Sequence, residues 1–137
     1  MKKRANRGLA VLAATMIMSM LPLSAMADSS ETSGSCGKNV QWSVSGDTLT
    51  ISGTGAMDDY GWVSPPWENQ PYTKLVIEEG VSALGSSAFC DSDVQTITWA
   101  DSVETIGSSA FQNCDKLKEI TIPSSIKTVG TRAFSSC

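Results

Sequence analysis

The chain has no histidine, and that gap closes off much chemistry. A Ser or Cys hydrolase normally relies on a nearby imidazole base, so only the rarer Lys-based arrangements remain. Zinc sites are equally short of ligands, because there is neither a histidine nor a Cys-x-x-Cys pair. Phosphate cradles are missing too: Ser52-Gly53-Thr54-Gly55 carries glycines but no following Lys, and it reads as the bend after a hairpin. Adjacent carboxylates occur at Asp58-Asp59 and Glu78-Glu79. Glycoside hydrolysis, however, wants two acids facing across a cleft, and neighbours in sequence do not supply that geometry. The inventory therefore predicts no enzyme, no cofactor and no metal.

Positive charge is scarce where it would matter for binding. Of ten basic residues, Lys2, Lys3, Arg4 and Arg7 lie at the N-terminus, ahead of an apolar run from Leu9 to Leu21, Pro22 and the small residues Ala25-Met26-Ala27. This pattern is that of a secretory signal peptide, residues 1–27, cleaved after Ala27. The alternative, a retained anchor helix, is disfavoured because the run is short for a bilayer core, which takes about 20 residues. Cleavage leaves six basic against fourteen acidic residues, a net charge of −8. Nucleic acid and anionic lipid are then poor partners. The expected product is a secreted or surface-displayed chain of one domain, with no membrane association after cleavage.

Residues 28–35 are small and polar, as expected of a flexible linker. From 36 to 74 the chain reads as a cap. Val40, Trp42 and Val44 alternate, Ser45-Gly46-Asp47 turns, and Leu49 and Ile51 return, the pattern of a β-hairpin. An aromatic loop follows, with Tyr60, Trp62, Trp67 and Tyr72 among Pro65, Pro66 and Pro71. Its tryptophans either cover the open end of the fold or, where exposed, offer faces on which a sugar can stack.

From 75 to 137 one phrase is written three times: Leu75 to Phe89, Ile97 to Phe111 and Ile120 to Phe134, with Gly85, Gly107 and Gly130 at spacings of 22 and 23. Self-similarity at such a period predicts a solenoid, a short unit stacked on copies of itself, the last copy incomplete. Leu75 and Ile77, Ile97 and Trp99, and Ile120 and Ile122 are two apart, as the inward face of a short strand requires, which leaves Val76, Thr98 and Thr121 pointing out. Each glycine marks a corner through its conformational freedom. The hydroxyl-led segments after it, ending in Ala-Phe, are expected to form one short helical turn. Phe89, Phe111 and Phe134 then form the spine of a continuous apolar interior. Cys114 and Cys137 share the Phe-x-x-Cys slot, with Cys90 out of line. The four cysteines permit two disulfides in an exported chain, or buried free thiols packed in register.

The Leu-x-Ile strands, the Val/Ile-x-x-Ile-Gly-x-x-Ala-Phe pattern and the Cys three residues after Phe make residues 75–137 resemble the BspA-type leucine-rich repeat family of bacterial surface proteins. Cys36-Gly37 through Trp42, Leu49 to Met57 and Pro65-Pro66-Trp67 are similar to the cap that precedes such repeats. The resemblance implies a curved right-handed solenoid with a parallel sheet on one side, export, and roles in adhesion to host or matrix proteins. Two functions follow as expectations. One is a non-catalytic extracellular protein-binding module whose ligand face is Val76, Thr98 and Thr121, a row that any strand would also present. The other is a structural N-terminal segment of a longer repeat array with no ligand of its own. The exposed edge of the last coil also invites self-association.

Overall fold

The computed structural model describes residues 32–137; the expected leader, its cleavage site and residues 28–31 lie outside the described residues. Chain order begins with β1 (Ser33–Ser35), β2 (Val40–Ser45), β3 (Thr48–Gly53) and β4 (Gly55–Ala56). It continues with β5 (Lys74–Ile77), β6 (Val81–Leu84), β7 (Thr96–Thr98), β8 (Thr105–Ile106) and β9 (Thr128–Val129). Part of the expected linker is thus a strand. Ser33–Ser35 pairs antiparallel with Gln41–Ser43, because the hairpin edge of β2 offers unpaired backbone groups that even small polar residues can satisfy.

The strands form two sheets that share one interior. In the first, the order is β1-β2-β3-β5-β7. It is antiparallel through β2 and β3 and parallel from β3 onward, with Leu49 beside Leu75 and Leu75 beside Ile97. In the second, β4, β6, β8 and β9 run parallel throughout, with Ala83 beside Thr105 and Thr105 beside Thr128. The return strand of the hairpin is therefore the first parallel rung, and the cap itself folds as a degenerate coil. The resemblance implies a parallel sheet on one side only; the second arises because the stretches before each glycine, Val81–Leu84, Thr105–Ile106 and Thr128–Val129, also lie extended and pair with one another.

A third wall is built from turns, and here the expected helical turn does not form. Within each coil the chain makes consecutive i→i+3 bonds, as from Ala110 N to Gly107 O at 3.2 Å and from Gln112 N to Ser109 O at 3.2 Å. Ser87, Ser109 and Arg132 have φ near +60°, as do Asp91, Asn113 and Ser136, the left-handed residue that tight turns place at their third position. A helix would direct each N–H along its own axis. These turns direct alternate ones to the next coil: Ser87 N to Ser108 O, Phe89 N to Ala110 O and Asp91 N to Gln112 O, and likewise Ser109 N to Thr131 O, Phe111 N to Ala133 O and Asn113 N to Ser135 O, at 2.7–3.0 Å.

The glycines also act differently from expectation. Gly85, Gly107 and Gly130 do not have positive φ. A Cβ on Gly107 would stand 2.6 Å from Ser86 N and 2.8 Å from Gly85 C, and one on Gly85 or Gly130 would collide with the backbone of Asp58 or Ser108. The corner glycines are there because neighbouring coils touch backbone to backbone, and the left-handed conformation falls instead on Ser87, Ser109 and Arg132 two residues later.

Between the walls lies the core. Trp67, Phe89 and Phe111 are fully buried, with Ala88, Ala110 and Ala133 beside them. Their rings stack in series: Trp67 on Phe89 at 5.6 Å, Phe89 on Phe111 at 5.2 Å and Phe111 on Phe134 at 5.4 Å, with interplanar angles of 22°, 17° and 1°. Such spacings lie within the range for favourable ring pairs. The three-Phe spine is as expected, and Trp67 extends it by one member at the same 22-residue interval.

Candidate binding surface

Outward residues of the first sheet follow from its register. Alternation along β3, β5 and β7 turns Leu49, Ile51, Leu75 and Ile77 into the core and leaves Thr50, Val76 and Thr98 side by side on the outer face. Thr48, Lys74 and Thr96 make a second row. Val76 is half-buried between its neighbours and Thr98 is exposed. Thr50 lies outside the row that sequence predicts; its signal is alternation with the inward Leu49 and Ile51, which becomes informative only once the hairpin's return strand is the first rung of the stack. The face is nearly uncharged. Its one ion pair, Lys74 Nζ to Asp47 Oδ2 at 3.6 Å, is more than half exposed on both sides and adds little to stability.

Thr121 does not join this row. Residues 119–122 form no strand, and a cavity of about 410 Å³ separates Thr96, Ile97 and Trp99 from Lys118 to Thr121. Two features mark the departure. Trp99 stands where the preceding coil has the smaller Ile77, edge-on to Phe111 at 6.2 Å, and lines the gap on the side of the earlier coil. Pro123 ends the segment without an N–H for a ladder. Ile120 and Ile122, expected inward, are 37% and 40% exposed. Trp99 is only half-buried.

The cysteines are four free thiols. Cys114 is buried and donates its S–H to Phe89 O at 3.1 Å; Cys137, although exposed, makes the same 3.1 Å bond to Phe111 O. The shared slot thus ties each coil to the phenylalanine of the coil before. In the first coil that slot holds Ser92, whose hydroxyl lies 3.5 Å from the Cys114 sulfur. Cys90 is out of line with that slot, as expected: its turn keeps register with that of Gln112, two residues ahead of Cys114, and the missing residue falls after Ser92. Burial, with the charge of Asp58 adding to it, pushes the Cys36 thiol up to about 12. Burial and then Asp91 raise Cys90 to about 11, and burial raises Cys114 as well. Thiols held protonated in this way make poor nucleophiles. Among the described residues no three His, Cys, Asp or Glu side chains are grouped to hold a metal ion.

The adjacent carboxylates bind backbone rather than facing each other. Asp59 Oδ1 accepts from Ser86 N at 2.8 Å, and Glu79 Oε2 accepts from Asp101 N at 2.7 Å. Each fastens its own coil to the next, a role that sequence spacing alone did not disclose.

The tryptophans of the cap loop divide. Trp67 is buried, with its indole N–H on Ala88 O at 2.9 Å and Trp42 and Tyr60 edge-on to it at 5.8 and 5.4 Å. Trp62 is fully exposed, and Val63 beside it is 67% exposed. Between this loop and the first coil's turns lies a cavity of about 470 Å³.

Comparison with known proteins agrees with this architecture. A leucine-rich repeat protein from Eubacterium ventriosum ATCC 27560 is similar in structure, with a TM-score of 0.68 and 26% sequence identity; the match covers 77% of this chain and 30% of that one. A leucine-rich repeat protein of T. pallidum matches with a TM-score of 0.39 and 17% identity over 72% of this chain and 64% of that one. This chain therefore spans less than a third of the length of the first of these and somewhat under two thirds of the second. No curated protein is detectably similar. The family model for the BspA type leucine rich repeat region matches residues 67–137 in six copies, beginning at the tryptophan that opens the aromatic spine. With just over half of its length so matched and its coils stacked as that repeat demands, the chain belongs to the BspA-type leucine-rich repeat family.

Proposed function

We propose that the chain is a non-catalytic, exported protein-binding module, acting at the bacterial surface or outside the cell. The observation that carries this reading is the outer face of β3, β5 and β7. There Thr50, Val76 and Thr98 stand in register on a rigid sheet, nearly free of charge, and no element of the described chain pairs beyond β7. Leucine-rich repeats commonly serve protein–protein contacts, and a sheet face held by its neighbours presents a ligand surface without further ordering cost. Thr121 belongs to the proposal as a flank of that face, across the gap beside Trp99. Export rests on the N-terminal residue pattern, and absence of catalysis on the lack of histidine and the raised thiols.

The test is capture of host-matrix proteins by the purified chain, compared with Thr98→Glu and Thr121→Arg. Loss of a captured protein with Thr98→Glu supports the sheet face; capture that ignores both changes removes it.

A second reading, a structural segment that stacks under further repeats, is favoured by one specific observation. The inner surface of the third coil is open: Val129 is 49% exposed, Phe134 is half-buried, and Ile120 and Ile122 are uncovered. Another coil or a second copy of the chain would cover them. Light scattering of the purified chain distinguishes a monomer from self-association through this end.

A further inference from the structure

We infer that the cavity between the cap loop and the first coil's turns is a binding subsite for a neutral saccharide, separate from the sheet face. Its wall is the loop around Trp62; its floor is the turn segment from Ser87 to Ser92. At about 470 Å³ it falls within the ordinary range for small-molecule sites.

Three observations point to the ligand class. The first is Trp62 itself, whose side chain is fully exposed while the other three tryptophans pack in or against the core. An indole face carries negative charge density, and the polarised C–H groups on one face of a pyranose ring are its natural complement. The second is the set of polar groups around the cavity. Glu68, Asn69, Ser87 and Asp91 line it together with Trp62, and planar carboxylates and amides suit sugar hydroxyls, which both donate and accept. No Lys or Arg lines the cavity, so a uronic or sialic acid would meet only repulsion.

The third observation comes from the turn ladder. Each coil presents a row of three carbonyls to the coil before it; Ser108, Ala110 and Gln112 all accept in this way. In the first coil, Ser86 O accepts from Tyr60 N at 2.8 Å and Ala88 O from the Trp67 indole at 2.9 Å. The third member, Cys90 O, has no donor among the described residues, and Cys90 lines the cavity. By the repeat's own geometry that carbonyl faces the cap side, where a ligand hydroxyl would complete the row.

The test uses the full chain and a panel of neutral hexose disaccharides, with uronic-acid disaccharides and a lysine-rich peptide as contrasts, read by tryptophan fluorescence. Trp62 is the solvent-exposed emitter. The account expects a saturable change with at least one neutral disaccharide, abolished by Trp62→Ala, weakened by Glu68→Ala and unaltered by Thr98→Glu. Circular dichroism of Trp62→Ala should match the parent, since the side chain contributes nothing to the core. No saturable response to any neutral saccharide overturns the proposal, as does equal binding by Trp62→Ala. A response confined to the lysine-rich peptide also overturns it and assigns the cavity to basic side chains. None of these outcomes touches the protein-binding reading, whose variants lie on the sheet.

Discussion

The two ends of the coil stack meet the same physical problem and answer it differently. At the N-terminal end, two carbonyls of the first coil's turn row take donors from the cap, Tyr60 N and the Trp67 indole, and Trp67 covers the ring of Phe89. At the other end, the N–H groups of Arg132, Phe134 and Ser136, equivalents of the donors in the two coils before, meet no acceptor among the described residues. One face of Phe134 is open, and three aliphatic side chains are exposed nearby. What the contrast teaches is that a coil is stabilised by its two neighbours rather than by its own contents. The capped end is made of side chains and backbone that imitate a missing coil.

The largest way to sharpen that contrast is to empty the spine at its middle and at its end. Phe111→Ala, between two stacked rings, should cost roughly 3–5 kcal/mol in chemical denaturation. Phe134→Ala, with one face already wet, should cost only about 1 kcal/mol. Equal losses would break the comparison. Next in size is Gly107→Ala, which forces a methyl into the backbone of the adjacent coil and should destabilise by about 1–3 kcal/mol; an unmoved midpoint would show that the coils are not in backbone contact there. Replacing the cap's donor by Trp67→Phe should lower stability by about 1–2 kcal/mol, because Ala88 O is left buried without a partner, as a shift in the denaturation midpoint would record. Smallest is Ile120→Thr at the open end, expected within roughly 0.5 kcal/mol of the parent. If a second copy covers that end, this substitution should instead dissociate it in light scattering.

Much of the fold was legible from period alone. Phe89, Phe111 and Phe134 recur at one interval, and the inward face of the first two coils follows from alternation around Leu75 and Ile97. Legibility failed where the copy is imperfect. Trp67 stands at the same interval but in a different residue type, so the loop around it hid the first coil. Ser92 replaces the slot cysteine and masked the register of Cys90. Thr121 reads as an outward strand residue, yet residues 119–122 form no strand and face a cavity lined by Trp99 of the coil before, and no local pattern carries that information. The turn ladder was also invisible, because a Ser-Ser-Ala-Phe segment has no strong preference between a helical turn and a left-handed one until a neighbour offers carbonyls. Of the candidate sites, the Thr and Val row could be read from alternation; the cavity beside Trp62 could not, since only folding separates the buried tryptophan from the exposed one.

Amide hydrogen exchange, resolved by residue, tests the central claim most directly. If stacked coils hold one another through alternate backbone bonds, the N–H groups of Phe89 and Phe111, bonded to Ala110 O and Ala133 O, will be strongly protected while that of Phe134 exchanges near the rate of an open chain. Protection that is the same at all three positions, or absent from Phe89 and Phe111, would contradict it.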